Sequence, residues 1–575
     1  MRSIPRPFWL IFAFLLACGV RLYGLGTLPL NEEEARLALQ AWKIAQGMRV
    51  PLDSQVLYLH PTAALFFLFG PQDFMARFWP ALSGSLLVLL PWLWRRQLGE
   101  RTALIFAFFL ALDPGMVALS RQANAWMPAL LSLVLCVTAW KRQRYTWGGF
   151  FAALVLLAGL PSWEGLFLLV VSLGIYTFLE KPIWLPLKIE TLREAFLPFL
   201  LTLLLGGTLF FTSPAGFGAI WNAPLELWRS WITPRAPLSQ MFLVWIGYEL
   251  FPSLLAISAF PFRNSERKWL IPLGVTFLIP LLFPGRAPVS WLWFLGILLF
   301  LAAHATEQWL QHFSSHHPLV FAEIVSFLLM LFIALNLVGI ANNPYHPINS
   351  QPLKTEIVLP FIQNTWTLSL LPLRWMAILG AVLLLVAGMS LIGLEWGWKA
   401  TGRALTLSFG LLLSLYTLGS AWSASGLRIQ DGTELWSVSW APPQGRLLEQ
   451  SIGELSLWRS GHRQGEHVLL AGWAEPPAAL EWLLRRYSPE FSQGISPSTL
   501  DGSYALVITP QTPPEIMPIP YRGQDFLAFS RPRLPIGAPE VIQWLFFRRL
   551  PLEQEHIILW VRSDLFDYKT TPPGR

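Results

Sequence analysis

The sequence predicts an α-helical polytopic membrane protein that carries a small α/β domain at its C-terminal end. Three observations lead there. The 575-residue chain is 54% hydrophobic and 13% charged, where soluble domains average roughly 25% charged residues. About thirteen apolar runs approach the ~20 residues that a helix needs to cross the hydrocarbon core. After about residue 425 this pattern gives way to short β-rich runs alternating with helical ones.

In chain order the candidate spans are 8–24, 77–94, 102–119, 126–140, 147–161, 164–180, 195–212, 240–260, 269–283, 289–304, 319–340, 374–394 and 404–424, with Pro161 parting the fifth from the sixth. Arg2 and Arg6 precede the first run as in a signal peptide, but no small-residue cleavage pattern follows, so it reads as an uncleaved helix. Lys and Arg gather in alternate loops: Arg2/Arg6, Arg95/Arg96/Arg101, Lys141/Arg142/Arg144, Lys181/Lys188/Arg193, Arg263/Arg267/Lys268 and Lys399/Arg403. The positive-inside rule makes these loops cytoplasmic. The N-terminus is then inside, in a plasma (inner) membrane, and everything after about residue 425 lies outside.

This divides the chain into a transmembrane region, 1–425, and an extracytoplasmic α/β domain, 426–575. The transmembrane region has long outer loops at 25–76 and 213–239, and a third at 341–373. In the domain, "HVLLAGW", "YALVIT" and "HIILWVR" read as strands, and 478–487 and 539–549 as helices. The net charge of +7 is spread over short loops rather than one patch, so topology explains it and nucleic acid is not an expected partner. Cys18 and Cys136 both lie in apolar runs and offer neither a disulfide framework nor a metal cluster.

The first outer segment is the most informative. In "LPLNEEEARLALQAW" and the residues after it, Ala35, Leu37, Ala38, Ala41 and Ile44 have helical spacing and Gly47 is a stop signal. A short amphipathic helix on the membrane surface follows. Glu32, Glu33 and Glu34 fall in its first turn, where the helix dipole favours a carboxylate by about 0.3–1 kcal/mol. That accounts for the acids without any chemistry; a catalytic role is the competing reading.

An ordered set of motifs favours the chemistry. Glu33-Glu34-Ala35, then His60-Pro61, then Phe69-Gly70 with Ala76-Arg77-Phe78, and "ALDPGMVALSRQAN" resemble the N-terminal third of the GT-C glycosyltransferases, in the family 39, protein-mannosyltransferase-like branch. "GTLFFTSPAGFGAIW" and "GYELFPSLL" resemble its bacterial and archaeal flippase-activity-associated subfamily. The likeness covers roughly residues 10–300. It implies a GT-C fold and a membrane-bound, lipid-linked sugar, carried on polyprenyl phosphate. That sugar would pass with inversion to a protein, lipid or glycan acceptor on the outer face.

Carried over residue by residue, the resemblance makes Glu33 the general base and Glu34 its neighbour. His60, Arg77, Arg121 and Arg286 become contacts for the donor phosphate, against the competing readings of a turn cap before Pro61 for His60 and a snorkelling interface arginine for Arg77, and Asn124, Glu164, Tyr248 and Glu249 become candidate cavity residues. An attacking hydroxyl must lose its proton to a carboxylate within reach, and the departing phosphate needs cations. Relatives differ in metal use, so a divalent cation stays open as a cofactor and none is assigned.

Three departures shape the rival readings. The base is Glu where relatives have Asp. "SRQANAWMP" has no acid where one is usual, only Asn124 and then Trp126. A Lys-Glu pair becomes Trp163-Glu164. A lipid-linked sugar flippase or accessory component, and a catalytically inactive scaffold, are the alternatives these motivate. Arg21 reads as a snorkelling arginine, His316-His317 as a solvated pair, and Trp221, Trp228 and Trp231 as interface anchors or a sugar-stacking face.

Overall fold

The computed structural model describes residues 6–179, 189–258, 268–314, 320–341, 354–357, 366–426, 434–437, 439–494, 504–510, 520–534 and 537–566. Each predicted span holds a helix, yet among the described residues seven helices are long and apolar enough to cross a membrane, or eight if one bent pair is a single span. The bent pair is Glu100–Leu112 and Pro114–Ser120, which meet at 56°. Others are short, such as Tyr145–Leu157 and Leu270–Leu282, and Ile189–Gly207 opens with three charges, Glu190, Arg193 and Glu194. His316-His317 lies outside the described residues.

The segments expected on the outer side are less loop-like than predicted. Residues 25–76 contain α2 (Glu32–Ala45) and α3 (Val56–Phe69), which lie between α1 (Arg6–Leu22) and α4 (Asp73–Leu87). Residues 213–239 hold the helices Ala215–Ile220 and Ala223–Ile232. In 341–373, β1 (Lys354–Ile357) pairs antiparallel with β2 (Trp366–Ser369). Pro288–Gln311 and Asp73–Leu93 are the most buried spans, while Val320–Ala341 and Leu373–Trp396 keep most of their apolar surface outward. The helices Tyr145–Leu157 and Ile189–Gly207 approach so closely that a Cβ at Gly149 would lie 2.0 Å from the Ala195 carbonyl oxygen. Small residues permit this kind of contact inside membranes.

The C-terminal segment forms a five-stranded mixed sheet in the order β4-β3-β5-β7-β6. Its strands are β3 (Val468–Ala471), β4 (Glu490–Ser492), β5 (Leu506–Pro510), β6 (Tyr521–Pro532) and β7 (Leu552–Arg562). β3 is parallel to β4 and β5, and β7 is antiparallel to β5 and β6. The helices Gly445–Ser460, Ala478–Leu484 and Ala538–Phe547 accompany it. All three predicted strands and both predicted helices are present. β4, β6 and the helix Gly445–Ser460 were not anticipated, because the first half of β6, "YRGQD", is polar and exposed and shows no alternation. One buried apolar cluster runs from the membrane helices into this sheet, so the two regions share a core.

Candidate active site

Helix α2 starts at a capping box. Asn31 Oδ1 accepts the Glu34 N–H at 3.0 Å, and Glu34 Oε2 accepts the Asn31 N–H at 3.1 Å. Successive side chains on a helix turn by about 100°, so the three glutamates that follow face three ways. Glu32 accepts the N–H groups of Ala478 at 2.6 Å and Ala479 at 3.0 Å, and so caps the helix Ala478–Leu484 of the C-terminal segment. Glu34 is buried and takes Arg77 Nε at 2.9 Å and Nη2 at 2.6 Å, together with the Ala123 N–H at 2.9 Å. Glu33 stays 61% exposed, with Arg235 Nη1 at 3.9 Å.

Glu33 projects into a cavity of about 430 Å³. Its carboxylate neighbours there are Asp53 and Glu226, and its cations are Arg36, Arg229 and Arg235. Asp53 pairs with Arg36 at 2.9 Å and accepts the Gln55 N–H at 3.1 Å, while Gln55 Oε1 accepts the Ala125 N–H at 2.9 Å. These bonds tie the start of α3 to the loop that carries Asn124. Glu226 accepts the Ser54 hydroxyl, and burial, aided by the negative charge of Asp53, raises its carboxyl above the ordinary range.

The helix Ala223–Ile232 forms one wall. Glu226, Arg229 and Ser230, three and four residues apart, face the cavity, while Trp221, Leu225, Trp228 and Ile232 are exposed outside it. A smaller chamber of about 150 Å³ adjoins at Asn31, Glu34, Gln122 and Trp436.

The predicted site residues divide. Glu33, Glu34 and Asn124 line the large cavity, but Glu34 is committed to Arg77. Arg77 has every one of its five N–H donors engaged: two on Glu34 and three on the carbonyls of Leu25, Leu28 and Pro29. No donor remains for a phosphate, so its expected role is corrected to that of a lock. Arg121 grips the carbonyls of Val20, Arg21, Tyr23 and Gly24, where α1 ends with unpaired C=O groups. Arg121 also borders the smaller chamber.

His60 is buried and donates from Nδ1 to the Gly206 carbonyl at 2.7 Å, away from the cavity. Glu164 and Arg286 share a separate small pocket with Ser290, and Arg286 Nε donates to the Phe283 carbonyl at 3.1 Å. Tyr248 donates to Glu434, and the Arg548 guanidinium lies 4.4 Å over its ring. Glu249 is fully buried and does not border the cavity.

Two ordinary readings also change. Arg21 does not snorkel: it is 1% exposed and donates to the carbonyls of Leu110 at 2.7 Å and Ala111 at 2.9 Å. The indoles of Trp221 and Trp228 point away from the cavity, and Trp231 stacks on Phe283 with ring centroids 4.3 Å apart.

As for a divalent cation, no three His, Cys, Asp or Glu side chains converge as its ligands among the described residues. Glu33 and Glu34 point apart, so the acidic pair makes no cradle.

Asp53, Glu226, Arg229 and Arg235 were not singled out from the sequence. The amphipathic pattern Glu226, Arg229, Ser230 was the available signal for the second wall, and it was hidden by the tryptophans of the same stretch. The spacing Asn31-x-x-Glu34 is a capping-box signature and already marked Glu34 as engaged.

No protein-family model matches the chain, and no curated protein matches its sequence. Solved structures do resemble it. ArnT from Cupriavidus metallidurans bound to undecaprenyl phosphate aligns with a TM-score of 0.54 at 15% identity, over 88% of this chain and 93% of that one. The same protein in the apo state aligns with a TM-score of 0.50 at 14% identity over the same shares. An Archaeoglobus fulgidus oligosaccharyltransferase in complex with zinc and sulfate reaches a TM-score of 0.34 at 12% identity, over 87% of this chain and 68% of that one, a level from which no conclusion is drawn. At this identity the likeness to ArnT shows a shared fold.

Proposed function

We propose that this chain is a membrane glycosyltransferase that moves a sugar from a polyprenyl-phosphate donor to an acceptor in the large cavity, with Glu33 as general base. The observation that carries this reading is the exposed Glu33 carboxylate, facing a cavity lined by cations on an ArnT-like fold. The acceptor hydroxyl gives its proton to Glu33 as its oxygen attacks the anomeric carbon, and the bond to the lipid phosphate breaks on the opposite face, which inverts the centre. Charge gathers on the leaving phosphate. Arg229 and Arg235, which line the same cavity, are the cations to stabilise it, in place of Arg77 and Arg121.

The positive-inside pattern supports an inner-membrane protein with this cavity on the outer side and the C-terminal domain, residues 426–575, beside it. The family 39-like motifs in the first 300 residues support that branch of the GT-C enzymes. The test is transfer of labelled sugar from polyprenyl phosphate in liposomes, wild type against Glu33→Gln. Loss of transfer in the variant sustains the proposal. No transfer by wild type, with sugar-lipid scrambling that Glu33→Gln leaves intact, would instead identify a flippase.

A further inference from the structure

The run "LALDPGMV" places an Asp-Pro pair inside a span. Pro114 has no N–H to continue the helix, and it drives the residue before it into extended backbone; Asp113 accordingly has φ −64° and ψ 128°. The helix breaks there by 56°, and the freed groups find partners. Arg21 donates to the carbonyls of Leu110 and Ala111 at the end of the first half. Asp113 Oδ1 accepts the Met116 N–H at 2.8 Å at the start of the second.

Three oxygens are left over. Asp113 Oδ2 and both carboxyl oxygens of Glu249 make no well-aligned hydrogen bond, although Asp113 is 3% and Glu249 0% exposed; the one N–H near both carboxyls is that of Gly115. The two carboxyl groups lie in hydrogen-bond contact with each other. Ionised carboxylates only accept, so two of them cannot bond unless one carries a proton and donates it. The charge count agrees. Arg21 contributes one positive charge and the two acids would contribute two negative ones, leaving a net charge inside the bundle that a single proton removes.

The neighbours leave little room for anything larger. A Cβ at Gly115 would lie 2.7 Å from Glu249 Oε1, from Leu295 Cδ1 and from Trp436 Cζ2. No third acid, His or Cys completes a metal site among the described residues. The charged group facing the pair from α1 is Arg21, which in turn has Cys18 beside it. The span Pro288–Gln311 and the segment 434–437 contribute Leu295 and Trp436, which do not titrate.

We propose that Asp113 and Glu249 form a proton-binding site at the break of this helix, in which Glu249 holds the proton and donates it to the Asp113 carboxylate that balances Arg21. Glu249 is the bearer because Asp113 already has Met116 and Arg21 to stabilise its charge. The site lies beneath the cavity: Trp436 separates the two, and the second half-helix runs into Gln122 and Asn124 on the cavity wall. It does not depend on the transferase reading.

Infrared spectroscopy of the full-length protein at neutral pH tests this. Wild type should show a protonated-carboxyl stretch that shifts in deuterium oxide and is lost in Glu249→Gln. Asp113→Asn should lose it as well, since one carboxylate then suffices for Arg21. Both single variants should stay folded, while the double variant strands Arg21 and loses folded protein.

Should a single variant fail to fold, labelling Glu164→Gln protein with heavy-carbon glutamate must move the band without touching the pair. Absence of the band in wild type, or its persistence in both single variants, overturns the proposal. So does a wild-type thermal stability that rises with sodium at fixed pH while Glu249→Gln does not respond, which would mean a metal ion rather than a proton.

Discussion

Replacing Glu33 and Glu34 by glutamine, one at a time, should separate two adjacent carboxylates by kind of damage. Glu34 accepts four hydrogen bonds: two from Arg77, one from Ala123 and one from Asn31. Its side chain is 5% exposed and that of Arg77 9%. Removing one partner of such a buried pair costs about 3–5 kcal/mol. The amide also leaves at least one N–H without its acceptor, for about 1–3 kcal/mol more. The sum, roughly 4–8 kcal/mol, is comparable with the whole stability of a typical domain, about 5–15 kcal/mol. Glu34→Gln should therefore lose folded protein.

Glu33 has one long contact and is 61% exposed. Its glutamine variant should hold stability within about 0.5 kcal/mol yet lose on the order of 10²–10⁴ in transfer rate. Thermal unfolding in detergent, run beside the liposome transfer assay, reads both effects. A Glu34→Gln protein as stable as wild type, or a Glu33→Gln protein with undiminished transfer, would refute the division of labour.

Three further outcomes are expected. Glu32→Ala removes the cap from the helix Ala478–Leu484, a change worth about 0.5–2 kcal/mol; hydrogen exchange should speed up in that helix while the membrane spans stay protected. Arg235→Ala should cut transfer on the order of 100-fold without moving the thermal midpoint, and an unchanged rate would remove it from the phosphate site. Glu226→Gln should flatten one stretch of the pH–stability curve. The raised carboxyl of Glu226 means that the folded state holds this proton more tightly than the unfolded chain. Stability is then lost as pH climbs from the ordinary carboxylate value through the raised one. The variant should match wild type below that window and exceed it above, and equal curves throughout would contradict the burial argument.

Much of the fold was legible because membrane insertion leaves a strong mark. Backbone groups in hydrocarbon must bond within their own helix, so apolar runs map onto helices with few surprises. The outer segments were harder. α3 is as apolar as a short span, with Pro61 inside it, and its length alone kept it among the loops. β6 became a strand through eleven paired positions with β7, a long-range partnership that local pattern does not encode. Arg77 shows the same limit at the site. A cation at the mouth of a span is equally suited to a phosphate or to a carboxylate, and only the approach of α2 to α4 decides for Glu34.

On the proposed mechanism, the arrangement of α2 also explains how an exposed base would be held in place. Catalytic geometry tolerates about 0.5 Å of error, and Glu33 makes no short contact of its own that could fix it. Its position has to come from the backbone on either side. Glu32 is tied to the C-terminal helix by two N–H bonds, and its own N–H donates to the Trp440 carbonyl at 3.0 Å. Glu34 is tied to α4 through Arg77 and to the Asn124 loop through Ala123. Both neighbours are anchored, Glu34 partly to the Ala123–Asn124 loop that lines the cavity, so the residue between them can move only about its own side-chain torsions. A glutamate has one more of these than an aspartate. The added reach, about 1 Å, falls on a side chain with open space before it, where a longer base can meet a more distant hydroxyl.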